Sequence, residues 1–232
     1  MARDLHSFRY LTFDVVGTLI DFEGGLVSSL RAIGASVGQD VDGERALGLY
    51  REARYSPDAL RFPDDLARVY QTIAPALGLP EGRGEALLDG VRDWTAFPDS
   101  VEALVRLARR YRLVAMTNAR RWAFEGFSQT LGNPFHAAFT VDDTGVEKPD
   151  AAFFEQVFAF VEGEGHSKDD ILHVAQSQYH DIGISRRLGM TNCWIERRHD
   201  RQGYGGTIEP SDVTRPDHHF TTLATLADAV EA

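Results

Sequence analysis

Short apolar runs of strand length alternate with amphipathic stretches along most of this chain. The strand candidates are Tyr10–Phe13, Leu113–Met116, Ala138–Val141, Ile171–Ala175 and Asn192–Ile195, with a short one at His218–Phe220. The stretches between them read as helices. One starts at Pro98-Asp99, where Asp99 can cap and Glu102 can close a capping box, with Val101, Leu104, Val105 and Ala108 on one face. Others run over Ala151–Val161, Ile182–Leu188 and Thr222–Val230. Strand and helix in alternation predict an α/β fold around a mainly parallel sheet.

The stretch between Gly24 and Asp93 breaks the alternation. It has helical periodicity (Leu47, Tyr50, Arg51, Arg54; then Leu66, Val69, Tyr70, Ile73), is punctuated by Pro63, Pro75 and Pro80, and offers no convincing strand. A helical insertion directly after the first strand predicts a cap over that strand's C-terminal end, the edge where open parallel sheets bind ligands. The expected division is therefore a core of residues 1–23 and 94–232 with a cap of residues 24–93. The polar, glycine-containing segment Arg197–Arg215 reads as a long surface loop.

Composition narrows the class. At 232 residues, with 43% hydrophobic and 25% charged positions, the chain can build a sizeable soluble core. A formal net charge of −11 argues against a nucleic-acid partner. The single cysteine, Cys193, excludes an internal disulfide and fits a reducing compartment, and its apolar setting (Cys193-Trp194-Ile195) predicts a buried structural thiol. Met1-Ala2-Arg3-Asp4 opens without an apolar leader, and no run approaches the roughly 18 apolar residues of a membrane span. The expectation is a cytoplasmic protein with no membrane partner.

Four chemically capable positions follow four candidate strands: Asp14, Thr117 with Asn118, Lys148, and Asp181. In a doubly wound sheet such positions converge on one crevice. A carboxylate, a hydroxyl-amide pair, an ammonium and a second carboxylate there make a set for covalent catalysis. Each has an ordinary alternative, since Asp14 and Asp181 could be caps and Thr117-Asn118 a strand-end turn. Lys148 is more telling. Only Lys148 and Lys168 are lysines, against many arginines, which suggests that a compact point charge is needed before Pro149.

Four segments together make the chain resemble the haloacid dehalogenase superfamily over nearly its whole length: Asp14-Val15-Val16-Gly17-Thr18, Met116-Thr117-Asn118, Glu147-Lys148-Pro149-Asp150 and Gln176–Asp181. The resemblance implies a Rossmann-like, doubly wound parallel core with a small helical cap, and hydrolysis through a covalent aspartyl ester. It implies catalytic roles for Asp14, Lys148 and Asp181. Substrate would be held by the backbone at Val15 and Val16 and by Thr18, Thr117, Asn118 and Ser177. A homodimer is expected by analogy with relatives.

Val16 bears on the leaving group. The superfamily's phosphatases carry a second aspartate there, which protonates a departing alkoxide, whereas its 2-haloacid dehalogenases lack it. General-acid help is worth about 10²–10⁴-fold, and a halide does not need it. The phosphonate-cleaving branch needs a cap lysine, and residues 24–93 contain none. The segment Tyr50-Arg51-Glu52-Ala53-Arg54-Tyr55 resembles the dehalogenase helix that supplies a halide-binding arginine, which makes Arg51 the first candidate and Arg54 the second. Phe62 is a further candidate for the pocket wall.

The expected reaction is hydrolytic dehalogenation of a small 2-halo carboxylate, a small anionic organic substrate, with no metal. Two alternatives stand beside it. One is a phosphatase-like hydrolase holding Mg²⁺ on Asp14, the Val16 carbonyl and Asp181; the other is a non-catalytic anion binder. The fourth segment is about one residue longer than in dehalogenases, which leaves Ser177, Gln178 and His180 as competing occupants of its polar positions. A tyrosine often found six residues after the dehalogenase lysine is Phe154 here.

Overall fold

The computed structural model describes residues 3–232; Met1 and Ala2, the first residues of the Met1-Ala2-Arg3-Asp4 segment noted above, lie outside the described residues. The strands are β1 (Tyr10–Phe13), β2 (Arg112–Thr117), β3 (Ala137–Thr140), β4 (Ile171–Ala175), β5 (Thr191–Ile195) and β6 (His218–Phe220). They form one sheet in the order β3-β2-β1-β4-β5-β6, with every neighbouring pair parallel. The expected α/β doubly wound architecture is present, and each predicted strand lies within a residue of its expected ends.

Strand periodicity divides the core. Leu11, Phe13, Leu113, Ala115, Leu172 and Val174 pack into the hydrophobic cluster on one face. Tyr10, Val114, Met116 and Ile171 pack on the other with Phe153, Phe154 and Val157. Because side chains alternate along a strand, Thr12 and Asp14 share the face of Tyr10, and His173 shares that of Ile171. Cys193 is fully buried, and burial pushes its thiol up, as its apolar setting predicts.

The excursion after β1 contains α1 (Phe22–Ala35), α2 (Gly43–Arg54), α3 (Leu66–Leu77) and α4 (Gly84–Asp89). It begins two residues before the expected boundary, because the Asp21 side chain caps α1 by accepting from the Gly24 amide. The outgoing and returning segments lie side by side. Asp21 N donates to Thr95 O at 2.9 Å and Phe97 N to Leu19 O at 3.0 Å, with an antiparallel bridge between Ile20 and Ala96. Leu66, Val69, Tyr70 and Ile73 are buried on α3, as their spacing predicts.

The remaining helices are α5 (Ser100–Leu107), α6 (Arg121–Thr130), α7 (Val141–Thr144), α8 (Ala151–Gly163), α9 (Gly183–Arg187) and α10 (Leu223–Glu231). Two expectations about α5 fail. Its buried stripe is Ser100, Ala103, Leu104 and Leu107, while Val101 and Val105 are exposed, because Ser100 donates to the buried Leu19 carbonyl and turns the helix. Asp99 makes no cap or capping box there; its carboxylate pairs with Arg197 and accepts from the Leu223 and Ala224 amides at the start of α10.

The segment 197–215 is irregular but is more than a surface loop. Arg198 is buried against Glu23 and Glu44, and Gly206 N donates to Glu23 Oε1 at 3.0 Å. This ties the segment from the core across to α1 and α2. No helix among the described residues is long and apolar enough to cross a membrane.

Candidate active site

The C-terminal ends of β1, β2 and β4 open into a cavity of about 390 Å³ roofed by the helical excursion. Gly17, at φ +91°, turns the chain sharply after Asp14 in a conformation that favours glycine, and so leaves that carboxylate at the cavity floor. Lys148 enters from the segment after α7. Its Nζ donates to Asp14 Oδ1 at 2.9 Å and to Asp181 Oδ1 at 2.6 Å. The three groups predicted to carry catalysis therefore form one buried cluster.

Asn118 holds that cluster in register. Its Nδ2 donates to Lys148 O at 2.9 Å, and its Oδ1 accepts from Lys148 N at 2.7 Å. Both ends of the amide are thus engaged in clamping the Lys148 backbone, and Asn118 also lines the cavity. Thr18 lies deeper. It is fully buried, lies outside the cavity wall, donates to Asp14 Oδ2 at 2.6 Å and accepts from Gln176 N at 2.9 Å. Thr117 reaches the wall, with its Oγ accepting from the Ala119 amide. The Val15 side chain is buried in the core while Val16 lines the cavity, and among the described residues neither amide donates to a protein acceptor.

The fourth segment folds as a π-turn. Residues Gln178–Ile182 form one wide helical turn, in which Ile182 N reaches back to Ser177 O at 3.0 Å and Gly183 N to Gln178 O. Single π-turns of this kind are frequent at functional sites, and this one carries Asp181 to Lys148. The turn also sorts the three competing residues. Ser177 and His180 line the cavity, with Ser177 Oγ 3.1 Å from His180 Nδ1. Gln178 lies outside it, its Oε1 accepting from Thr214 N.

Burial raises the Asp14 carboxyl above its ordinary range; Lys148 opposes the rise, Asp181 adds to it, and the Thr18 hydrogen bond opposes it. Burial also works against the Asp181 carboxylate, but Lys148 and His173 override it and hold this group at about 2. Desolvation alone would lower Lys148, yet its two carboxylate neighbours carry it above its usual value. Burial, its leading cause, pulls His180 down to about 4, so its imidazole is neutral at pH 7.

The roof supplies Tyr50, Arg51, Arg54, Arg61 and Phe62. The structure separates the two candidate anion-binding arginines. Arg54 is paired with the buried Asp65 at 2.6 Å, so its charge is already compensated. Arg51 donates to the Gly205 carbonyl at 2.9 Å and, among the described residues, has no carboxylate within salt-bridge distance. The strap beyond Arg198 closes the remaining side through Gly206, Thr207 and Ile208.

His173 was not anticipated. It is fully buried on β4, with Nε2 3.0 Å from Asp181 Oδ1 and Nδ1 2.8 Å from Thr12 Oγ1. The available signal was a pair of polar side chains, Thr12 and His173, in apolar strands that the sheet places side by side.

Both Asp14 oxygens already accept hydrogen bonds and an ammonium sits between the two aspartates, while Asp181 Oδ2 has no partner.

No protein-family profile and no curated protein sequence matches the chain. Solved structures do. A defluorinating L-2-haloacid dehalogenase superimposes with a TM-score of 0.76 at 18% identity, covering 99% of each chain. The L-2-haloacid dehalogenase from Xanthobacter autotrophicus with chloropropionic acid covalently bound gives 0.75 at 18% identity, over 97% of this chain and 99% of that one. A protein from Bacillus subtilis, assigned as a HAD-hydrolase and solved with magnesium bound, gives 0.74 at 18% identity over the same shares. The chain therefore has the fold of the haloacid dehalogenase-type proteins, end to end.

Proposed function

We propose that this chain, which has that fold, is a hydrolase working through an ester on Asp14, and that its reaction is hydrolytic dehalogenation of a small 2-halo carboxylate. The observation that carries the reading is the clasp at Asp14. Its carboxylate is buried and aimed by Lys148 and Thr18 at the floor of the cavity. Two residues on, the side chain at the cavity wall is Val16, which has no proton to give.

In the first step an Asp14 carboxylate oxygen attacks the α-carbon of the substrate, and the carbon–halogen bond breaks as the new carbon–oxygen bond forms. The halide leaves with its electron pair toward Arg51, whose charge has no carboxylate partner within reach. The substrate carboxylate is received by the Val15 and Val16 amides with Ser177 and Thr117 at the wall. Lys148 supplies the charge that keeps Asp14 ionised against burial.

In the second step water attacks the Asp14 ester carbonyl carbon. Asp181 accepts the water's proton and returns it to the alkoxide oxygen as the acyl–oxygen bond breaks. This releases a 2-hydroxy acid, and Asp14 loses the remaining proton to solvent. The sum is R–X + H₂O → R–OH + H⁺ + X⁻. No metal is required in either step.

The test incubates the protein with each enantiomer of 2-chloropropionate in the presence of EDTA, and separately with p-nitrophenyl phosphate and Mg²⁺. Chloride release that disappears in Asp14→Asn supports the reading. Metal-dependent nitrophenol release without any chloride replaces it with the phosphatase alternative, and silence in both assays favours an anion binder.

A further inference from the structure

The tautomer of His173 is dictated by its partners. A carboxylate oxygen can only accept, so the 3.0 Å contact between Nε2 and Asp181 Oδ1 requires a proton on Nε2. In the neutral ring Nδ1 is then bare and accepts from the Thr12 hydroxyl at 2.8 Å. The ring has little room to turn, since Thr12 and His173 are register partners on β1 and β4 and Phe154 packs edge-on at 5.6 Å. Asp181 Oδ1 therefore accepts two hydrogen bonds, from Lys148 and from His173. Asp181 Oδ2 is buried and has no partner. An unpaired buried carboxylate oxygen is costly, and its natural partner in a hydrolase is water.

We propose that His173 is a positioning residue for the second half-reaction: its Nε2–H, backed by Thr12, fixes the Asp181 carboxylate so that Oδ2 alone receives the attacking water. This rests on the ester mechanism above and extends it to a residue that touches neither substrate nor ester. Without the His173 hydrogen bond the carboxylate can rotate and offer either oxygen to Lys148. The displacement step, which depends on Asp14 and Lys148, is left intact, whereas ester hydrolysis slows.

The variants are His173→Phe, which keeps the ring and loses the donor, and His173→Gln, whose amide nitrogen can reach the Nε2 position. With 2-chloropropionate, His173→Phe is expected to give a stoichiometric burst of chloride and then a steady state slowed about 10-fold or more. The Asp14 peptide, acid-quenched, should then carry the ester mass by mass spectrometry. His173→Gln should recover turnover to near the wild-type rate. Equal loss of burst and steady state in His173→Phe, or no recovery in His173→Gln, overturns the proposal.

A second measurement needs no substrate. In ¹⁵N-histidine-labelled protein, His173 should show a protonated Nε2 and an unprotonated Nδ1 in the wild type. The pattern should change in Asp181→Asn and in Thr12→Val, which conserves shape. A bare Nε2 in the wild type overturns the proposal. If the wild type releases no halide, the dehalogenase reading fails, and the spectrum still decides the His173–Asp181 contact.

Discussion

The floor of the cavity holds its charges in direct contact, and the roof keeps one apart. On the floor, Lys148 lies within 2.9 Å of Asp14 and 2.6 Å of Asp181, and all three are anchored at the ends of strands or clamped by Asn118. On the roof, Arg54 is neutralised by Asp65 inside the helical excursion, while Arg51 faces the cavity with only a carbonyl as partner. The floor is tied together by the Lys148 contacts and the Asn118 clamp, which is the preorganisation that bond-making demands. The roof stands on α2 and the segment that follows it, and keeps a charge available for an incoming anion. Under the proposed mechanism, reaction and selection fall to different structural layers.

Substitutions should separate the two layers by the kind of loss they cause. The largest effect is expected from Asp14→Asn, which keeps shape and removes the nucleophile: chloride release should fall on the order of 10⁴-fold or more, with circular dichroism unchanged. Next is Lys148→Met. Two buried carboxylates would lose their counter-charge, at a cost of about 3–5 kcal/mol, measurable by urea unfolding. Activity should be lost as well, and Lys148→Arg should not restore it, since a planar guanidinium cannot sit between the same two oxygens.

On the roof, Arg51→Met should lower kcat/KM by about 10–10²-fold, the worth of a charge-assisted hydrogen bond, with stability nearly unchanged. Arg54→Met should show the reverse emphasis, destabilising the protein because Asp65 is buried and keeps Arg68 as its one counter-charge, beside the Leu60 amide. If Arg54→Met cuts activity more than Arg51→Met while leaving stability alone, the assignment of the two arginines is inverted.

The pH profile sharpens the floor's side of the comparison. Asp14 must be ionised to attack, and burial raises its carboxyl, so kcat/KM should fall as pH drops through a value above that of an ordinary aspartate. Asp181, held at about 2, stays ionised through that range and does not set the limb. Its lowered value contributes stability that is fully present above the unfolded aspartate value and is lost as pH falls through about 2. The smallest effect belongs to the outer surface, where Val105→Thr should change stability by no more than about 0.5 kcal/mol, while Leu104→Ala on the buried stripe of the same helix costs about 2–5 kcal/mol.

That last pair marks where sequence reasoning stopped. Most strands were legible as short, apolar-rich runs between polar turns, and the topology they imply brought Asp14, Lys148 and Asp181 together. The α5 stripe was misread because two apolar stripes share the helical period there, and only the Ser100 hydrogen bond chooses between them. Asp99 was misread because its better partners, Arg197 and the start of α10, lie about 100 residues or more further on. His173 stayed hidden because an imidazole in an apolar strand acquires meaning only from what lies beside it, here Thr12 on one side and Asp181 on the other. Long-range polar partners were what the local pattern could not supply.

The proposed mechanism depends most on a covalent bond between Asp14 and the substrate. A single turnover of 2-chloropropionate in oxygen-18 water, with enzyme in excess, reads this directly. The attacking water enters the Asp14 carbonyl, so the account predicts label in the Asp14 peptide and unlabelled lactate. Label in the lactate with none in Asp14 would mean that water attacks the substrate itself, and would contradict it.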